Sequence, residues 1–156
     1  MFMNDPSIID ANQLSGAKTT VRQLNAYLHF EGNCAEAMKF YKEILGGELS
    51  LQTVGDSPMA AQMQPAAHKQ VLHSMLRKDN MVLMASDMFE GESETGNRMS
   101  LCLVSDQLEE LKTWFAKLSK GGKVSHELKV EYFGTYGDLT DKFGVPWMFQ
   151  SDQKSV

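Results

Sequence analysis

The sequence predicts an α+β protein made of two tandem β-α-β-β-β modules, and three observations lead there. The first is an internal repeat: Glu36 to Leu49 reads against Glu110 to Val124 at an offset of 74, with one extra residue before the glycines. Each copy holds an aromatic pair (Phe40-Tyr41, Trp114-Phe115), an aliphatic anchor (Ile44, Leu118), a Gly-Gly stop (Gly46-Gly47, Gly121-Gly122) and then a β-prone run. The second is that the same offset lays Tyr27-Leu28-His29-Phe30 over Leu101-Cys102-Leu103-Val104, so the strand before each helix repeats as well. The third is periodicity. Ala37, Phe40, Tyr41, Ile44 and Leu45, and Leu108, Leu111, Trp114, Phe115 and Leu118, fall on one face at helical spacing, whereas the flanking runs are strand-like. A period of about 75 residues is too long for a solenoid and suits two half-domains related by duplication.

Taken in order, Tyr27 to Phe30 opens the first module as a strand. Asn33 with Glu36 offers a capping-box start for the first helix, as Asp106 with Glu109 does for the second. Gly46 and Gly121 supply the left-handed conformation that ends each helix. Glu48 to Val54 reads as a strand, and Val71 to Arg77 with Met81 to Ser86 as a hairpin turned at Lys78-Asp79-Asn80. In the second module Lys123 to Val130, about Tyr136 to Thr140, and Val145 to Gln150 read the same way. The modules run over 21–87 and 98–150, within one domain at 21–150 and ahead of a tail at 151–156. Their sheets are expected to curve around a shared concavity with the helices outside, and a small ligand would sit there. Residues 1–20 read as a flexible arm, Gly55 to Lys69 as a lid over the pocket, and Asp87 to Asn97 as a solvated connector.

The chain has 156 residues, 42% hydrophobic, enough for a core without disulfides or a structural metal. Its two cysteines, Cys34 and Cys102, lack CxxC spacing and fit a reducing compartment; Cys34 reads as a half-buried structural residue in the first helical turn and Cys102 as core. A net charge of -5 with no basic run argues against nucleic acid as a partner. No run approaches the roughly 20 apolar residues of a membrane-spanning helix. The first residues do not resemble a secretory leader, so a cytoplasmic location is expected.

The run Tyr27-Leu28-x-Phe30-x-Gly32-Asn33-Cys34-x-Glu36-Ala37-x-x-Phe40-Tyr41, the later Leu45-Gly46-Gly47-Glu48-Leu49, and Thr140-Asp141-Lys142-Phe143-Gly144-Val145-Pro146-Trp147-Met148 resemble the PhnB-like branch of the vicinal oxygen chelate superfamily, which includes glyoxalase I, extradiol dioxygenases and bleomycin-resistance proteins. The resemblance spans about residues 23 to 150. It implies a paired βαβββ fold, a homodimer and a cup-shaped pocket for a small organic molecule. Some members carry a 3-demethylubiquinone methyltransferase label. This chain shows no glycine-rich strand-to-helix turn of the kind that holds a nucleotide-like cofactor, which argues against that activity.

The resemblance also implies where a divalent metal would be held in metal-dependent members. Those positions fall on Asn25 (or Ala26), Met99 (or Arg98) and Met148, which are poor ligands for a hard ion. No cofactor is expected, and a relocated metal site on His73 and Glu131 stays open. By the same resemblance His73 and Glu131 are the candidate polar groups of the cup, an imidazole and a carboxylate able to act as an acid/base pair. His29 alternates with Leu28 and Phe30 and is a candidate for touching a ligand. Phe133, Tyr136 and Trp147 would stack on a planar ligand, with Met84, Met59 and Met63 as adaptable apolar surface. His68 and His126 read as surface residues, and Asp141 and Gly144 as turn-formers. The function expected is small-molecule binding with lyase- or isomerase-type acid/base chemistry. The alternative is a binder that sequesters its ligand, of the bleomycin-resistance type.

Overall fold

The computed structural model describes residues 22–154, so the expected arm at 1–20 lies outside the described residues, as does the end of the tail. The elements run β1 (Ala26–Phe30), α1 (Cys34–Leu45), β2 (Glu48–Thr53), two short 3-10 turns (Pro58–Gln62 and Pro65–Lys69), β3 (Val71–Lys78) and β4 (Met81–Asp87). Then follow β5 (Leu101–Val104), α2 (Leu108–Ser119), β6 (Lys123–Glu131), β7 (Gly134–Thr140) and β8 (Pro146–Ser151). This is the β-α-β-β-β pattern twice. Two four-stranded mixed sheets result, ordered β1-β4-β3-β2 and β5-β8-β7-β6. In each, the module's first strand runs parallel to its last, because a helix carries the chain back across the sheet, while the remaining neighbours are antiparallel. The chain divides into two compact units, one over 22–42 and 46–91 and the other over the rest.

Within the first unit, register assigns the faces. Leu28 lies beside Ala85 and Ala85 beside Ser74, and Ser74 Oγ meets Cys34 Sγ of α1 at 3.5 Å. That is the helix face, whose core includes Phe30, Cys34, Ala37, Met38, Tyr41, Leu76 and Leu83. The α1–β2 turn depends on glycine: Gly47 has φ +92°, and a Cβ there would collide with the carbonyl oxygen of Arg77. Within the second unit, Leu103, Phe149 and Gly137 share the helix face, and Phe149 meets Phe115 of α2 edge-to-face at 5.0 Å.

Both expected capping boxes are replaced by other contacts. Asn33 makes no side-chain cap. The amides of Gly32 and Cys34 instead donate to Oδ1 of Asp87, 2.8 and 3.0 Å away. Before α2, Ser105 Oγ accepts from the Gln107 amide at 3.0 Å and donates to Glu110 Oε2 at 2.9 Å, in place of Asp106 and Glu109. Asp87 is therefore no solvated connector: it is 2% exposed, and its Oδ2 accepts a third amide, from Val71, at 2.8 Å.

Cys102 also departs from expectation. An offset of 74 pairs it with Leu28, which faces the helix, yet Cys102 is exposed while Leu103 is buried. From the last buried residue of the strand to the start of the helix there is one residue more in the second module (Leu103 to Leu108) than in the first (Phe30 to Cys34). One residue of slip turns every side chain to the other face.

Candidate functional site

The side of each sheet away from its helix, called here the far face, collects the side chains able to meet a ligand. In the first unit, Tyr27 lies beside Met84, Met84 beside Met75, and Met75 beside Ser50, so one row crosses all four strands. Met75 and Met84 are buried and make an apolar floor, and Asn25 Nδ2 donates to Met84 Sδ at 3.7 Å. His29, two residues along β1, and His73, two residues along β3, share this face. The Tyr27 ring stands between the two imidazoles, 5.2 Å from His29 and 6.2 Å from His73. Both ring nitrogens of His73 are screened from water, whereas His29 is exposed. A planar molecule laid on this face would meet rings, thioethers and two imidazoles.

The expected lid over Gly55 to Lys69 is tied down by its own residues. His68 Nε2 donates to the carbonyls of Ala60 and Met63 at 2.8 and 3.3 Å, and the Gly55 amide donates to the His68 carbonyl at 2.9 Å. Met59 is 41% exposed. The sequence reading of His68 as a surface residue missed this locking role, because the two carbonyls come into reach only through the fold of the 3-10 turns.

In the second unit, Cys102, Met148 and Asp138 form one far-face row, and Gln150 and Tyr136 another. Tyr136 Oη donates to Asp138 Oδ2 at 2.6 Å, and His126 Nδ1 stands 3.0 Å from both oxygens of Asp138. Burial pushes the Asp138 carboxyl up, but the hydrogen bonds and charge supplied by Tyr136 and His126 outweigh it, and the net shift is downward. The same bond to the Asp138 carboxylate holds the Tyr136 hydroxyl protonated, pushed up to about 12. Phe133, 43% exposed on the β6–β7 turn, stands 6.3 Å from the Tyr136 ring. Glu131 closes β6 and makes an ion pair with Lys129 at 3.5 Å. His126 is exposed, as its sequence reading as a surface residue expects, but its pairing with Asp138 is not legible in the sequence.

Trp147 is placed elsewhere. It lies opposite Leu101 and Leu139, is 3% exposed, and its Nε1 donates to Asp141 Oδ2 at 2.9 Å. Asp141 Oδ1 accepts from the Phe143 and Val145 amides at 2.8 and 3.0 Å, which makes Asp141 the turn-former expected and Trp147 part of the core rather than a stacking surface. Cys34 is likewise structural. It is fully buried, and burial pushes its thiol up to about 11, against the Ser74 hydrogen bond that lowers it and with the Asp87 charge that raises it. A thiolate at the α1 N-terminus is thereby disfavoured.

The profile of the glyoxalase/bleomycin resistance protein/dioxygenase superfamily matches residues 23–149, which takes in both modules. The chain belongs to this superfamily. Protein YjdN of Escherichia coli K12 is 33% identical over 135 residues, covering 80% of this chain and 92% of YjdN. Protein PA1353 of Pseudomonas aeruginosa has a similar structure, with a TM-score of 0.77 and 33% identity over 86% of this chain and all of that one. The PhnB protein of Bacillus cereus, described as a candidate 3-demethylubiquinone-9 3-methyltransferase, follows at a TM-score of 0.70 and 27% identity, over 83% and 99%.

Metal-dependent members of the superfamily set a fit test for this chain. The matching positions offer an amide and two thioethers. Asn25 is bonded to Met84, Met99 is 79% exposed ahead of β5, and Met148 lies between Cys102 and Asp138. Such donors do not fit a hard divalent ion. Among the described residues no three His, Cys, Asp or Glu side chains are grouped to hold a metal. No helix among them is long and apolar enough to cross a membrane.

Proposed function

We propose that this superfamily member binds a small, planar organic molecule on the far face of its first sheet. The observation that supports this is the juxtaposition of Tyr27 with His29 and His73 above the Met75–Met84 floor. Aromatic and imidazole rings give a flat surface, thioethers adapt to irregular shape, and the imidazoles orient polar groups. In the catalytic version of this reading, His73 takes or gives the proton, because its imidazole lies on this face beside the Tyr27 ring. Glu131, at the end of β6 in the second unit and paired there with Lys129, stays a separate candidate. The homodimer implied by the resemblance and the cytoplasmic location expected from the sequence belong to the same proposal.

The test is a small-molecule screen by thermal shift on the whole chain, with each hit followed for turnover. Hits should lose most of their shift in Tyr27→Ala and His73→Ala while the ligand-free variants keep the wild-type circular dichroism. Turnover that survives His73→Ala removes His73 from the chemistry, and Glu131→Gln reports separately on the second sheet. Hits that bind undiminished to both first-sheet variants would place recognition elsewhere. Light scattering on the same samples reads the dimer.

A further inference from the structure

We propose that His126, Asp138 and Tyr136 form a proton-accepting site on the far face of the second sheet, suited to the hydroxyl of a phenol or enol. Asp138 is held ionised, and an ionised carboxylate only accepts hydrogen bonds, so His126 Nδ1 must carry the hydrogen it shares with Asp138. In neutral imidazole this leaves the lone pair on Nε2, on a side chain that is 72% exposed. Tyr136 fills Asp138 Oδ2 from a second direction and fixes the carboxylate. Asp138 and Tyr136 are positioning residues, and His126 Nε2 is the atom that meets the ligand.

The strand itself is distorted around His126. The β6–β7 register shifts by one residue between Val124 and His126 and again between His126 and Lys129. Continued from Val124↔Leu139 without the first shift, the register would set Ser125 opposite Asp138. The irregularity sets His126 there instead, which is what a bulge does when it re-aims a side chain. Gly137 accommodates the distorted strand: a Cβ there would stand 3.0 Å from the Leu128 amide nitrogen and 3.1 Å from the His126 carbonyl oxygen. A surface ion pair alone requires none of this.

The surroundings indicate the ligand class. Phe133 and Tyr136 extend an aromatic edge from the dyad, and Met148 stands beside Asp138. The charged or titratable groups on this face are Asp138, Tyr136, Cys102, Lys129, Glu131 and, opposite Thr140 one row beyond Asp138, Lys123; the ammonium of Lys129 is already paired with Glu131. The Asp138 carboxylate beside the imidazole disfavours an anion that arrives ionised. A neutral ring bearing an acidic hydroxyl can stack and then pass its proton to Nε2. The O–H bond breaks, its electron pair stays on oxygen, and the imidazolium formed is stabilised by the Asp138 carboxylate.

The probe is 4-nitrophenol, whose phenolate has its own visible band, added to the full chain in near-neutral buffer and read against the protein-free phenol at the same pH. Wild-type protein should generate the phenolate band saturably. His126→Gln, which keeps an N–H toward Asp138 but has no titratable nitrogen, should abolish it, and Tyr136→Phe should weaken it. Matching circular dichroism confirms that the variants are folded. Absence of the band in wild type, whether or not the phenol binds, would overturn the proposal. So would a band that persists in His126→Gln or that is lost in His73→Gln alone.

Discussion

Each module carries one buried aspartate whose carboxylate is filled by N–H donors, and the two differ in reach. Asp87 gathers the amides of Gly32, Cys34 and Val71, which lie 55, 53 and 16 residues away. Asp141 gathers the Phe143 and Val145 amides and the Trp147 indole, 2, 4 and 6 residues away. The first ties the end of β4 to the β1–α1 connection and the start of β3. The second stays within its own turn. One chemical device thus closes a module through distant contacts and shapes a hairpin through near ones.

The sharpest way to break this comparison is to remove each carboxylate. Asp87→Ala orphans three amides and should cost at least about 3 kcal/mol, since each unsatisfied buried N–H costs roughly 1–3 kcal/mol. Asp141→Ala likewise orphans three N–H donors and should cost a similar amount, about 3 kcal/mol, but with a local effect. Urea denaturation checks the sizes and hydrogen exchange checks the reach. Exchange should quicken across β1, α1 and β3 in the first variant and only around the β7–β8 turn in the second. Equally local effects would erase the distinction.

A smaller effect separates the modules at high pH. Cys34, in the first, has its folded thiol raised from 9.0 to about 11. Its contribution is intact below pH 9.0 and is lost as pH rises toward about 11, because only the unfolded chain ionises over that window. The loss should reach roughly 2 kcal/mol, and Cys34→Ala should flatten that slope in urea titrations run across the window.

The smallest effect lies in the second module, at acid pH. Asp138 has a lowered folded pKa, so its stabilisation is present above the ordinary value of 3.8 and is lost as pH falls through the folded one. Tyr136→Phe deletes one donor and should move that acid limb upward while costing about 1 kcal/mol or less at neutral pH. An unmoved acid limb would mean that the 2.6 Å bond does not govern the carboxylate.

The same contrast explains what the sequence discloses. The repeat, the two helices and all eight strands are written in local periodicity, and Asp141 is legible because its partners are neighbours. Asp87 looks like part of an acidic connector, since nothing near it in sequence announces Gly32, Cys34 or Val71. Cys102 is misplaced by one residue of slip that similarity cannot see. His126 is hidden by a register shift, which depends on pairing across strands and leaves no periodic trace. His29 lies on the face opposite Leu28 and Phe30, as alternation expects, and His73 and Met84 share that face, whereas Trp147 turns inward because Asp141 offers its indole a buried acceptor.

The account turns on ligand recognition by the far face of the first sheet. Imidazole-resolved nitrogen NMR of the labelled chain, titrated with a hit from the thermal-shift screen, tests it directly. The His29 and His73 resonances should move saturably, while His68, bonded to the Ala60 and Met63 carbonyls, should stay in place as an internal control. Saturable binding that leaves both His29 and His73 unmoved would contradict the account.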